Sequence, residues 1–141
     1  MNEQLTAALA AEEAAIYAYG LIGVHLAQES EVKAARECEQ VHRQRRDYLV
    51  GQLDSLKASA APAPAGYRLP FEVTNRRSAL KLAVHVEDGV TQAWRAVLPV
   101  TQSAQRKAAL SAMTDSALRA TTWRKESGTN PLTMAFPGRP S

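Results

Sequence analysis

Apolar residues recur at three- and four-residue steps along four stretches of this chain, the spacing of helices that turn one face to a core. Leu5, Leu9, Ile16, Tyr19 and Leu26 form the first stripe and predict a helix from about Asn2 to Ala27. Gln28-Glu29-Ser30 is a short connection, with Ser30 placed as the N-cap of a second helix that runs to about Lys57. Its stripe is Val32, Ala35, Leu49, Leu53 and Leu56, and so short a link makes the two helices antiparallel neighbours. Leu80, Val84, Trp94 and Leu98 predict a third helix, capped by Asn75 or Thr74. After a break at Pro99–Gln102, with Thr101 or Ser103 as cap, a fourth helix runs to about Lys125. Leu110, Met113, Ala117 and Ala120 are expected to face inward there. Gly128 and Pro131 end it and release a tail.

Residues 58–74, ASAAPAPAGYRLPFEVT, break the pattern with three prolines, a glycine and no helical period. Loops longer than ~12–15 residues are uncommon in compact domains and need a reason. The second helix should be roughly 40 Å long at ~1.5 Å per residue. An extended, proline-rich segment of this length reaches roughly 50–55 Å, enough to return the chain to the other end of the bundle. The predicted fold is therefore all-α, a four-helix bundle over residues 1–126 built as two antiparallel hairpins with one long crossover at about 58–74. That is the connectivity of ferritin-like folds. Residues 127–141 form a tail expected to pack on the bundle or on a partner subunit.

Composition agrees with helix: of 141 residues, 26 are alanine and 14 leucine, the types that most favour it. The balance of 45% hydrophobic and 22% charged residues excludes a disordered or fibrous chain. One cysteine excludes an internal disulfide and a four-cysteine zinc site. The longest clearly apolar run, Ala14–Val24, is far short of the ~20 residues that span a bilayer, and acid stands near the N-terminus where a secretory signal carries base. A cytoplasmic protein with no membrane partner is the expectation. The formal charge is only +3, and the clusters at Arg43, Arg45, Arg76 and Arg77 are interleaved with acids, so nucleic-acid binding is a minor reading.

Candidate chemistry lies where polar residues interrupt the stripes. Glu12 falls between Leu9 and Ile16, Glu87 falls between Val84 and Trp94, and Glu39, His42 and Arg46 share the inner face of the second helix. Buried carboxylates cost several kcal/mol each unless they are paired. Glu39-Gln40-Val41-His42 is a Glu-x-x-His element, and a full di-metal carboxylate site takes two of these plus a glutamate from each remaining helix. The fourth helix offers only Asp115-Ser116-Ala117-Leu118, and Asp115 points away from the core toward Arg119. Three carboxylates against one inward arginine suit one divalent ion at most. The first reading is a hydrogen-bonded network of Glu12, Glu39, His42, Arg46 and Glu87. The second is a metal site on Glu12, Glu39, His42 and Glu87, a single iron, manganese or zinc ion or a degenerate di-metal centre, in a ferritin-like oxidoreductase or storage protein. Cys38, Tyr17, Tyr19, Trp94 and Trp123 read as packing residues, His85 as solvent-facing, and His25 as a favourable charge for the end of its helix. No phosphate loop, nucleophile elbow or Cys-x-x-Cys motif is present.

Several short motifs arrive in order along nearly the whole chain: Ala10-Ala11-Glu12, Tyr17-Ala18-Tyr19-Gly20, and His42-Arg43-Gln44-Arg45-Arg46-Asp47. Leu69-Pro70-Phe71-Glu72-Val73, Glu87-Asp88-Gly89-Val90, Ala93-Trp94-Arg95, Thr122-Trp123-Arg124 and Ala135-Phe136-Pro137-Gly138 follow. In these the chain resembles a ferritin-like domain family of unknown function, mainly actinobacterial. The resemblance implies a ferritin-like four-helix bundle, a homodimer, and no established reaction. Relatives resemble Glu-His where this chain has Glu12-Glu13, which removes one potential ligand nitrogen.

Overall fold

Four long helices dominate the computed structural model, which describes residues 1–140; Ser141, the end of the expected tail, lies outside the described residues. They are α1 (Asn2–Val24), α2 (Glu29–Ser55), α3 (Arg76–Val97) and α4 (Ser103–Ser127), with a short 3₁₀ turn at Leu98–Val100. No strand forms among the described residues. The architecture is an all-α bundle in which α1 packs against α2 and α3, and α3 against α4. Side-chain bonds tie α2 to α4, where Gln105 donates to Gln52 at 2.6 Å and Arg45 to Asp115 at 2.8 Å.

The helix ends follow local chemistry. Asn75 caps α3 through a reciprocal box: Ser78 N–H donates to Asn75 Oδ1 at 2.9 Å, and Asn75 N–H to Ser78 Oγ at 3.1 Å. Gly128, at φ 71°, closes α4 in the left-handed conformation that glycine adopts without a Cβ clash. Ser30 is not a cap. The helix begins two residues earlier than that cap would set, with Gln28 at the N-cap and Glu29 and Glu31 in the first turn, where acid favours the helix dipole. Thr101 does not cap α4 either; its hydroxyl donates back to the Val97 carbonyl at 2.8 Å and finishes α3.

Burial divides the interior into two apolar clusters. One gathers Leu5, Leu9, Leu49, Leu53, Trp94 and Val97; the other gathers Tyr19, Ile22, Leu26, Leu80, Leu82 and Trp123. Alanines fill many of the close approaches, with Ala8, Ala15, Ala83, Ala109 and Ala120 fully buried. By length and composition α1 is apolar enough to cross a membrane, yet it buries Glu12 and packs on two neighbouring helices. The α4 stripe departs from expectation. Its buried residues are Ala109, Ala112, Ser116, Ala120 and Trp123, whereas Leu110 and Leu118 are 51% and 63% exposed. Apart from Trp123, the inward face is the small-residue face, which lets α4 pack closely on α3. Beyond α4 the chain returns to α3, where Arg95 donates to the Pro137 carbonyl at 3.0 Å. Gly138 (φ 78°) is buried there, and a Cβ on it would stand 2.9 Å from the Thr91 carbonyl oxygen.

Candidate functional site

Between the two apolar clusters lies a polar layer to which each helix contributes one fully buried residue: Glu12 from α1, His42 from α2, Glu87 from α3 and Ser116 from α4. The first three are in direct contact. His42 Nδ1 stands 2.5 Å from Glu12 Oε2, and His42 Nε2 stands 3.0 and 3.1 Å from the two oxygens of Glu87. Aromatic donors complete the set. Trp94 Nε1 donates to Glu12 Oε1 at 2.7 Å, Tyr19 Oη donates to Glu87 Oε2 at 2.5 Å, and Trp123 Nε1 donates to Tyr19 Oη at 2.9 Å. The Tyr19 ring stacks on His42, with centroids 5.7 Å apart and planes 20° from parallel. The result is one continuous chain, Trp94–Glu12–His42–Glu87–Tyr19–Trp123, with every side chain paired.

The electrostatics follow from the geometry. Burial alone works to lower the His42 pKa, but its hydrogen bonds to Glu12 and Glu87 and their charges outweigh burial and lift it to about 9. His42 is therefore an imidazolium at neutral pH, donating from both ring nitrogens. Its one positive charge lies between two carboxylates, and neutral N–H and O–H donors from Trp94 and Tyr19 take up acceptor capacity that would otherwise be unpaired. Burial, then the Glu87 charge, raises Tyr19 well above the usual phenol range, so its hydroxyl stays a donor. Burial also raises the Cys38 thiol, the opposite of what an activated cysteine requires. Arg119 donates to its sulfur at 3.1 Å.

Two of the sequence candidates are not in this cluster. Glu39 is partly exposed and meets Arg43 one turn on at 3.4 Å, and Arg46 is partly exposed and meets Asp47 at 3.0 Å. The buried stripe of α2 runs Ala35, Cys38, His42, Leu49 and Leu53, and at 100° per residue positions 39 and 46 both fall on one flank of it, within reach of water. The cluster thus contains no arginine. Arg45 on the opposite flank turns inward instead, donating to Asp115 at 2.8 Å and to Ser116 Oγ at 3.2 Å. Asp115 also accepts from Arg119 at 2.7 Å. Tyr19, Trp94, Trp123 and Ser116 belong to the site although they read as packing or filler. A signal for two of the aromatics was available: Tyr19 and Trp94 each lie seven residues after a buried carboxylate of the same helix and carry a donor that needs a partner once buried, whereas Trp123 follows only Ser116 at that spacing. His85 is exposed and stands edge-on to Phe71.

As arranged, the donor set does not fit a divalent ion. A histidine ligand must present a lone pair, and both nitrogens of His42 face carboxylate oxygens instead. Among the described residues no group of three or more histidine, cysteine, aspartate or glutamate side chains is placed to hold a metal.

Fold and site together define an all-helical bundle with a closed carboxylate–imidazolium layer at its centre. Residues 4–141 match the family described as Domain of unknown function (DUF4439), and the chain belongs to that family. The crystal structure of a conserved hypothetical protein, rv2844, from Mycobacterium tuberculosis is similar at a TM-score of 0.84 and 36% identity. The match covers 89% of this chain and 95% of that one. No curated protein matches the chain.

Proposed function

We propose that this chain is a ferritin-like bundle, two antiparallel hairpins joined by the 58–74 crossover, that works in the cytoplasm as a non-catalytic binding or structural homodimer. In this reading the Glu12–His42–Glu87 layer stands where such bundles hold metal, and with Tyr19 and Trp123 it holds the four helices in register through charge and hydrogen bonds. One observation carries it: both ring nitrogens of His42 are bonded to carboxylates, so the central histidine is a cross-link and has no lone pair to offer. The order of the α2–α4 contacts supports the topology, since Cys38, Arg45 and Gln52 meet Arg119, Asp115 and Gln105, so one helix rises as the other falls. Leu110 and Leu118, exposed together on α4, support a self-association face. The arginines of the nucleic-acid reading are largely engaged, Arg45 with Asp115, Arg76 with Glu31 and Arg43 with Glu39.

The test is metal analysis of protein purified without chelators, followed by titration with iron(II), manganese(II) and zinc(II). The proposal expects substoichiometric metal and no change in thermal midpoint on addition. One tightly held ion per chain, lost on Glu12→Gln, would establish the single-metal reading in its place. Sedimentation velocity tests the dimer: Leu110→Asp with Leu118→Asp should convert it to monomer, and a monomeric parent protein would refute it.

A further inference from the structure

The Ala135-Phe136-Pro137-Gly138 motif lies in the chain that leaves α4 at Gly128 and crosses the groove between α3 and α4. Of residues 129–140 only Gly138 is buried; Leu132 is half-buried and the rest are exposed. Among the described residues no backbone hydrogen bond joins the chain beyond Thr129 to the bundle. The one it makes, from the Arg139 N–H to the Phe136 carbonyl at 3.1 Å, is internal. Two arginines and a glycine hold the segment instead. Arg124 of α4 pairs with Asp88 of α3 and reaches the Met134 sulfur at 3.7 Å. Arg95 of α3 donates to the Pro137 and Phe136 carbonyls at 3.0 and 3.5 Å, and among the described residues it makes no other hydrogen bond.

These attachments make release inexpensive. A region opens locally, at a free energy well below that of the whole domain, when it buries few apolar contacts. Lifting this segment gives up one glycine contact and a few polar contacts near the surface, where water replaces them. Moving any helix would instead break one of the two apolar clusters. Closure is nonetheless specific. Gly138 has φ 78°, and a Cβ on it would stand 2.9 Å from the Thr91 carbonyl oxygen and 3.0 Å from Arg95 Cβ, so only glycine lets the backbone come this close to α3. We propose that residues 129–140 are a strap that lifts from the α3–α4 groove and closes on it while the bundle stays folded, with Gly138 as its latch. Lifting it uncovers Thr91, which is only 2% exposed beneath it, and the Asp88–Arg124 pair. The strap is separate from the buried layer, and its failure would leave the reading of that layer untouched.

Thiol labelling of the native full chain tests the proposal. Cys38, buried in the core, reports opening of the bundle, and Thr91→Cys adds a thiol that reports opening of the strap. Iodoacetamide should alkylate the thiol at position 91 at least tenfold faster than Cys38, with little dependence on urea below the unfolding transition. Adding Gly138→Ala should raise the rate at position 91 about tenfold, the factor that an L-residue loses in the left-handed region, and leave the rate at Cys38 unchanged. Arg95→Gln should raise it several-fold. Both thiols sit in one molecule, so Cys38 records any loss of global stability that Thr91→Cys brings. Equal rates at positions 91 and 38 would overturn the proposal, since the strap would then open only with the bundle. A rate at position 91 that Gly138→Ala leaves unchanged would overturn the latch.

Discussion

Raising the pH should unfasten the bundle from its centre. His42 has an ordinary pKa of 6.5 in an unfolded chain and about 9 in the fold. Because the folded value is the higher one, its stabilisation is fully present below pH 6.5 and is lost as the pH rises through 9. The gap corresponds to about 3 kcal/mol, a large share of the ~5–15 kcal/mol that keeps a domain folded. Most of that loss should fall between pH 6.5 and 8.5, before the thiol of Cys38, whose ordinary value is 9.0, begins to add a loss of the same sign. Urea melts followed by far-ultraviolet circular dichroism at pH 6.0, 7.5 and 8.5 read it directly. With a urea slope of ~2 kcal/mol per molar, the midpoint should fall by about 1 M over this range. Glu87→Gln, which removes one of the two charges that hold the His42 proton, should move the fall to lower pH. A wild-type midpoint that is flat or rises over that range would refute the assignment of His42 as a buried imidazolium.

Other expectations follow from the same contacts, each read from urea midpoints at pH 7. Trp94→Phe removes the donor to Glu12 Oε1 and should cost about 1.5–3 kcal/mol, the range for a bond to a charged group. Tyr19→Phe strips Glu87 of one donor and leaves the Trp123 N–H unpaired, so its cost should equal or exceed that of Trp94→Phe. Glu39→Gln and Arg46→Gln, outside the buried chain, should each change stability by less than ~0.5 kcal/mol. Gly128→Ala forces an L-residue into the left-handed region and should cost about 1–2 kcal/mol.

The helices were readable from periodicity because leucine, isoleucine and valine return at helical steps, and their ends came within three residues of those observed. The crossover was readable because its prolines and glycine forbid helix over a long stretch. Position 12, 42 and 87 stood out as charge within an apolar stripe. What periodicity could not supply was the exact facing of α2, where Glu39 and Cys38 are neighbours only 100° apart and the choice between them depends on where α1 and α4 sit. The same limit hid the inward turn of Ser116, since a serine among alanines carries no signature of burial. Leu110 misled for the opposite reason: a large apolar residue normally marks the core, but along this part of α4 the buried positions are Ala109, Ala112 and Ser116 and Leu110 faces out. The donor roles of Tyr19, Trp94 and Trp123 depend on long-range geometry, joining residues 68, 82 and 104 positions apart.

The central claim is that His42 is a charged cross-link between two carboxylates. Nitrogen-15 spectroscopy of the histidine ring, recorded at pH 7 with and without added zinc(II), tests it most directly. Both His42 nitrogens should show the shifts of protonated imidazolium and be unmoved by metal, with titration only near pH 9. A neutral ring at pH 7, or one nitrogen shifted by bound zinc, would contradict the account.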